Sequence, residues 1–288
     1  MMLAIRYTIA ATTLIVSAMG VFAEDDRRQA VDGSFDAVRT AVSASGLTEI
    51  IQIDHARLAA AEGVDMPPSR VQLFSDPRIN TTLLSENIRA GLDLPFRILS
   101  YDDGERAALT HTPSTFLARR HGLADADALS DFDTRLAGVF SRIEGPDPVP
   151  VATEGVTGDF AIIELRSRYD VPETVARLTR AVTAQPDTVW FGEIDFQAEA
   201  ALEGVTLAPA RLLLFGGPAP GGVSMAEFPT IGLDAFCQKL LVYEGEDGET
   251  VVLFNDIAAL ARLHYGRTIE PHALLNQRLT ATFTGAIN

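Results

Sequence analysis

The chain has 288 residues, enough for one large or two small domains, and 47% of them are hydrophobic, so it can bury a core of its own. Its formal net charge is −16. So acidic a balance excludes a nucleic-acid-binding surface, which needs basic residues, disfavours an anionic membrane surface, and serves solubility.

The first 23 residues read as a secretory signal. Arg6 is the only charged side chain before Glu24, an apolar stretch runs from Ile9 to Met19, and Val21 and Ala23 place small residues ahead of Glu24-Asp25-Asp26. One positive charge, a short apolar core and a small-residue cleavage site are the parts such a signal needs. The apolar stretch is shorter than the ~20 residues of a spanning helix. Cleavage after Ala23 and a periplasmic or secreted location are expected, with no stable membrane insertion. The single cysteine, Cys237, leaves an exported chain without an internal disulfide, and its place in the mainly apolar run Phe236–Tyr243 predicts a buried, inert thiol.

The first predicted domain covers residues 24–143. A weak strand near Gln29-Ala30-Val31 precedes a helix with Ser34 as N-cap, Phe35, Val38 and Val42 on one face, and Gly46 as its stop. Strand Leu47–Ile53 leads into a short alanine-rich helix that starts at Asp54 and stops at Gly63. Strand Arg70–Phe74 and a loop with Pro77 lead to another helix. Strands Phe96–Tyr101 and Arg106–Thr110 form a hairpin across an acidic glycine turn. Helix Ser114–His121 closes the unit. Residues 144–158, with Gly145, Pro148, Pro150, Gly155 and Gly158, form a linker.

The second predicted domain, residues 159–288, repeats this order. Strand Phe160–Leu165 is followed by a helix capped by Asp170 with Pro172 in its first turn, strand Thr188–Ile194, a helix from Asp195 to Gly204, and strand Arg211–Phe215. A glycine-rich loop over 216–222 comes next, then hairpin strands Lys239–Glu244 and Glu249–Phe254, and helix Ile257–His264. The residues themselves recur. At an offset of 141, twelve of the 25 positions from Ile53 to Pro77 are identical to those from Ile194 to Pro218, and Gly91-Leu92-Asp93 falls on Gly232-Leu233-Asp234 in the same register. A repeat this long is a duplicated domain, not a solenoid unit. Strands interrupted by helices, with a terminal hairpin, indicate an α+β fold. The expected architecture is two tandem copies of a small domain with a mainly antiparallel sheet and packed helices, joined as a pseudo-dimer.

Several blocks, taken together, are similar to the DUF302 family, a domain of unknown function. In copy one they are Ser34-Phe35, Ile53-Asp54-His55 with Ala59-Ala60 and Gly63, the stretch from Pro67 through Pro77, and that from Gly91 to Leu99. In copy two they are Ile194-Asp195, Gly204, the stretch from Pro209 to Pro218, and that from Ile231 to Asp234. The resemblance covers nearly all of the chain after the signal. It implies a compact α+β domain that pairs, and no established reaction.

Asp54 and Asp195 stand where a helix begins, so N-capping accounts for both. Asp54 with His55 is also the one acid/base or metal candidate, limited because adjacent residues of a helix do not share a face. Copy two has Phe196 where copy one has His55, so a site that uses the histidine belongs to copy one alone. His111 and His121 lie in that copy too, but the five histidines have no zinc-site spacing and read as scattered surface residues. Arg70 and Arg211 match at strand starts, either as ion-pair partners of Glu62 and Glu203 or as anion-binding residues, one per copy. The stretch 216–222 lacks the Lys-Ser/Thr of a phosphate loop and reads as a flexible loop beside a cleft. The candidate ligand-binding residues are Asp54, His55, Arg70 and Arg211, with no metal, no cofactor and no catalytic set expected. The expected function is a non-enzymatic module that binds a small ligand or a protein partner. The alternative is an enzyme or metal-binding protein with its site around Asp54 and His55 in the first copy only.

Overall fold

The computed structural model describes residues 10–145 and 147–288, with side chains from residue 24 onward. The signal expected over residues 1–23 lies outside the described side chains, and residues 1–9 lie outside the described chain.

Copy one is built from α1 (Ala10–Ala44), β1 (Thr48–Asp54), α2 (His55–Ala61), β2 (Ser69–Ser75), α3 (Pro77–Glu86), a 3-10 turn (Ile88–Leu92), β3 (Phe96–Asp102), β4 (Ala107–His111), α4 (Ser114–His121), α5 (Ala126–Phe140) and β5 (Val149–Pro150). Copy two follows with β6 (Ile162–Ser167), α6 (Val171–Thr183), β7 (Val189–Asp195), α7 (Phe196–Leu202), β8 (Ala210–Gly216), α8 (Pro218–Met225), a 3-10 turn (Pro229–Gly232), β9 (Gln238–Glu244), β10 (Thr250–Asn255), α9 (Ile257–Tyr265) and α10 (Glu270–Ile287). The sheets run β1-β2-β3-β4-β5 and β7-β8-β9-β10-β6. All pairs are antiparallel except β4–β5. The fold is α+β, twice over. Even the irregularities repeat, since the register shifts between Glu49 and Ile51 in β1 and between Trp190 and Gly192 in β7.

Local chemistry sets most element ends. Asp54 and Asp195 accept the backbone N–H groups of Arg57 and Ala198 at 2.9 and 3.0 Å. Asp170 caps α6 through Glu173, and Pro77 and Pro218 occupy the first positions of α3 and α8, where a missing N–H costs nothing. Two stretches differ from the sequence expectation. Residues 29–31 are helical, not a strand, because Val31 shares the buried face of α1 with Phe35, Val38 and Val42. Ser34 consequently sits mid-helix, bonded to the Val31 carbonyl and the Ser100 hydroxyl instead of capping. The sheet edge that β6 fills in copy two is filled in copy one by β5, donated from the inter-copy stretch.

The second difference is α8. Residues 218–225 form a helix, not a flexible loop, and Gly221 and Gly222 are buried in it. A Cβ on Gly222 would stand 2.6 Å from Ala59 Cβ and 2.9 Å from Val64 Cγ1. Gly222 therefore serves close approach between α8 of one copy and α2 of the other, while Gly221 makes room for Phe236 of its own copy.

Each sheet has one face for its own helices and one for the other copy. In β8, Leu213 and Phe215 pack with Leu178 of α6 and Phe283 of α10, while Leu212 and Leu214 join a core cluster that also holds Val71, Leu73 and Leu99 of copy one. In copy one, Phe74, Phe96 and Phe132 of α5 stack at 5.5 and 4.4 Å on the outer face. Contacts across the seam are reciprocal. α2 packs on α8 and α3 on α7, and each 3-10 turn lies on the other copy's sheet. That is the pattern of an isologous dimer interface held within one chain.

The close approach at Gly222 yields a clean test. We expect Gly222→Val to overpack the seam and cost about 1–3 kcal/mol. Gly33→Ala, where an added Cβ meets nothing within 4 Å on helix α1, should instead gain up to about 1 kcal/mol. Urea midpoints of the two variants check both signs.

Candidate functional site

Of the four residues singled out by sequence, Asp54 and Arg70 are committed to each other. Asp54 pairs directly across from Arg70 in the β1–β2 register. Arg70 Nε lies 3.5 Å from Asp54 Oδ2, and its Nη1 donates to Asp32 at 2.8 Å. Arg57 closes the group through both aspartates. Arg211 does the same in copy two, 3.0 Å from Asp195 and 3.1 Å from Glu193. The shared partners are Asp54 and Asp195, across the ladder, with Asp32 of α1 or Glu193 of β7 beside them, not Glu62 and Glu203, which end their helices instead. His55 parts from its neighbour. It turns inward and is 8% exposed, so the four residues do not converge on one site.

The histidines are buried, not scattered on the surface. His55, His111, His121 and His272 are all in the interior, and the His264 side chain is 5% exposed. Four have a core neighbour. His121 Nε2 meets Asp93 Oδ2 at 2.6 Å, and His264 Nε2 stands 3.5 Å from Asp234 Oδ2. His272 Nε2 meets the Ser224 carbonyl at 3.0 Å, and the His111 ring lies 4.6 Å from that of Phe140. His55 Nε2 has no hydrogen-bond partner.

The two aspartates of the repeated Gly-Leu-Asp form the centre of the molecule. Asp93 and Asp234 have fully buried side chains. Arg97 of copy one donates to Asp234 of copy two at 2.7 Å, while Lys239, which takes the place of Arg97 in the copy-two ladder, reaches back to 4.0 Å from Asp93. Arg120 binds both oxygens of Asp93 at 2.9 and 2.8 Å and crosses the seam to Asn255 at 2.7 Å. Asn255 in turn donates to the Asp234 carbonyl. Burial alone would push the Asp93 carboxyl up, but the Arg120 guanidinium and the His121 imidazole outweigh it and hold it well below the usual carboxylate range. Asp234 is likewise held low against burial by His264 and Arg97. Two carboxylates against two guanidiniums close the charge count, so a third cation is surplus. Burial, helped by Arg97, accordingly pushes the Lys239 amine down to about 7. Arg97–Asp234 and Arg120–Asn255 cross the seam away from solvent, which makes the cluster a lock between copies, although Lys239 Nζ, Arg97 Nε and Asp234 Oδ2 make no hydrogen bond.

Beside this lock the seam holds a small apolar pocket of about 30 Å³. Ile53 and His55 of copy one and Phe191, Met225, Phe236 and Cys237 of copy two line it. On the other side of the pseudo-dyad Phe196 takes the place of His55, with its Cε2 3.0 Å from the Cβ position of Gly91, just as the His55 ring lies 3.3 Å from that of Gly232, and the buried Asn80 and Thr81 stand where this pocket has Gly221 and Gly222. Burial lowers the His55 pKa to about 4 against the nearby Asp54 carboxylate, so the ring is neutral at pH 7. Burial also raises the Cys237 thiol to about 12. A second, shallow groove of about 700 Å³ runs past Arg89, Tyr243 and the turn at 244–247. Its arginines are already paired, Arg89 with Asp159 and Glu164 and Arg166 with Asp247. Among the described residues no three His, Cys, Asp or Glu side chains gather as a metal-binding group.

Sequence reasoning missed Asp93, Arg97, Arg120, Asp234 and Lys239. The signal was present, since Gly-Leu-Asp returns in register in both copies, and a repeated buried acid needs a cation.

The family model for DUF302, described as a domain of unknown function, matches residues 26–143 and again 163–282. The chain belongs to the DUF302 family. Curated relatives of this DUF302 chain include the fluoride-specific ion channel FluC 1 of Brucella suis biovar 1 and that of Brucella abortus biovar 1. Each is 30% identical over 99 residues, which is 34% of this chain and 39% or 37% of the relative. The chain thus spans under two-fifths of the length of these curated relatives. A crystal structure of an uncharacterized conserved DUF302 protein from Bacillus stearothermophilus aligns at 18% identity with a TM-score of 0.38, covering 44% of this chain and 98% of that one.

The buried histidines fix how the DUF302 chain responds to acid. An unfolded histidine titrates near 6.5, whereas His55 and His111 are held to about 4 by burial. Below 6.5 the unfolded chain takes up protons that the folded chain refuses, so stability falls from pH 6.5 down to about 4. The full displacement for His55 is worth about 3 kcal/mol. The lowered carboxyls of Asp93 and Asp234 act only below their usual range, at 3.8 and under. We expect the urea midpoint to drop between pH 7 and 4.5, and His55→Phe to flatten part of that slope. A midpoint constant over this window would contradict the burial of neutral imidazoles.

Proposed function

We propose that this DUF302 chain is an exported, non-enzymatic binding module that holds one small ligand per chain in the pocket between its copies. The observation that carries the reading is the broken symmetry of the seam. The copies are locked by a shared charge cluster, yet where one side has Phe196 and the buried Asn80 and Thr81, the other has His55, Gly221 and Gly222 around an open pocket. A buried polar atom without a partner is costly, and His55 Nε2 is one. A ligand that meets this nitrogen would remove that cost.

A catalytic centre on Asp54 and His55 is not favoured. Asp54 is engaged in capping α2 and in binding Arg57 and Arg70, and His55 points away from it into the seam. Fluoride-specific ion conduction is what the Brucella relatives are named for. Among the described residues no helix is long and apolar enough to cross a membrane, and the shared stretch is a minor part of those proteins, so neither supports conduction by this chain. Export rests on the composition of residues 1–23, with the mature chain starting at Glu24.

Native mass spectrometry of the gently purified exported protein tests all of this at once. The expected spectrum shows a chain starting at Glu24 with one bound small species, and His55→Phe, which copies the Phe196 side, folds but comes without it. A chain that retains residues 1–23, an empty wild-type protein, or a species kept by His55→Phe would overturn the corresponding part.

A further inference from the structure

Three soft or borderline donor side chains line the open pocket: the His55 imidazole, the Met225 thioether and the Cys237 thiol. They come from separate places, the start of α2, the end of α8 and the start of the strand region of β9. Met225 Cε and His55 Nε2 lie 3.0 and 3.3 Å from one point, the position a Cβ on Gly232 would take, so the methyl end of the thioether and the imidazole edge are neighbours. Cys237 is the chain's single cysteine, and its thiol is engaged by backbone alone, donating to the neighbouring Gln238 carbonyl at 3.5 Å and meeting the Phe215 backbone. His55 Nε2 has no hydrogen-bond partner. The remaining wall includes Gly216, Gly217, Gly221 and Gly222, which bring no side chains.

The other side of the pseudo-dyad gives the comparison. Phe196 stands in place of His55 and Leu84, whose Cδ2 is 3.3 Å from the Cβ position of Gly91, stands in place of Met225. The ladder register that matches Arg97 with Lys239 puts Pro95 in place of Cys237. All three donor positions on one side are non-donors on the other. A fold that needed these sites only for packing has apolar residues available for each, as Phe196, Leu84 and Pro95 on the other side show.

Resting on the reading of this pocket as the ligand site, we propose that it binds one soft monovalent metal ion, Cu(I), through His55 Nε2, Cys237 Sγ and Met225 Sδ. Thiolate, thioether and imidazole together select Cu(I) over hard divalent ions, which ask for oxygen ligands and retained water. The volume of about 30 Å³ suits one monatomic ion. Charge agrees as well. On binding, the Cys237 S–H bond breaks, an S–Cu bond forms and the proton leaves to solvent, with no change of oxidation state. The site passes from a neutral thiol to a neutral Cu(I)–thiolate, the charge state an apolar wall tolerates. A divalent ion there would leave a net positive charge in the seam.

The test is an anaerobic titration of the full exported chain with Cu(I), in competition with a Cu(I)-specific chromogenic chelator. We expect one equivalent to be withdrawn from the chelator, with one proton released and a thiolate–Cu(I) absorption in the near ultraviolet. His55→Phe, Cys237→Ser and the near-isosteric Met225→Leu should each weaken uptake at least tenfold, and Met66→Leu, outside the pocket, should leave it unchanged. Trp190 fluorescence confirms that each variant is folded. A wild-type chain that withdraws no Cu(I), or uptake indifferent to both Met225→Leu and Cys237→Ser, would overturn the metal assignment. The two claims separate cleanly. An organic ligand in the native spectrum that His55→Phe loses, with no Cu(I) uptake, keeps the pocket as the site and removes the metal.

Discussion

Arg97 crosses the seam to Asp234, and Lys239 reaches back across it toward Asp93. Everything else in the molecule is arranged around this exchange. Asp93 is held by Arg120 and His121 of its own copy, whereas Asp234 of copy two draws its guanidinium, Arg97, from copy one, so copy two does not pair its buried acid alone. An unpaired buried carboxylate or guanidinium costs several kcal/mol, and removing one partner of such a pair typically destabilises by about 3–5 kcal/mol. A separated copy would have to hydrate these groups or neutralise them. The duplication is therefore more than two beads on a string. The first copy supplies the guanidinium of Arg97 to the second copy's buried Asp234, and Asp234 in turn supplies Arg97 with its carboxylate.

The lock also explains why the seam can be asymmetric elsewhere. With the relative placement of the copies held by charge and by a core cluster that runs through both, the two flanks can differ, with Phe196, Asn80 and Thr81 on one and His55, Gly221 and Gly222 around a pocket on the other. Gly91 and Gly232 belong to the Gly-Leu-Asp segments, because a side chain there would collide with the residue entering from the opposite copy. The motif thus performs two tasks in three residues, an opening for the neighbour and an acid for the neighbour's cation.

Much of the fold was legible because its signals are local. Asp54, Asp170 and Asp195 cap the helices they precede, Pro77 and Pro218 begin theirs, and Gly46, Gly63 and Gly204 adopt positive φ where helices stop. Two helices carried readable signals that were not assigned. α5 has its Asp125 cap and buried Ala128, Phe132, Leu136 and Val139 at helical spacing, while α10 lies beyond the last matched block. Residues 29–31 are too few to show a period, and only packing on β2, β3 and β4 decides that they extend α1. The candidate site was the hardest part. His55 was visible as the difference from Phe196, but Cys237, Met225 and His55 are far apart in the chain, and nothing short of the inter-copy packing brings them together. Asp54 and Arg70 drew attention through their recurrence, which reflects a structural pair.

Urea unfolding followed in both copies at once tests the shared lock most directly. Trp190, the chain's one tryptophan, reports on copy two by fluorescence, and amide exchange in β2 and β3 reports on copy one. A common core and a common charge cluster predict coincident midpoints, with Asp93→Asn, a change in copy one, shifting the Trp190 midpoint by the same amount as the copy-one amides. Two separate transitions, with Trp190 indifferent to Asp93, would contradict it.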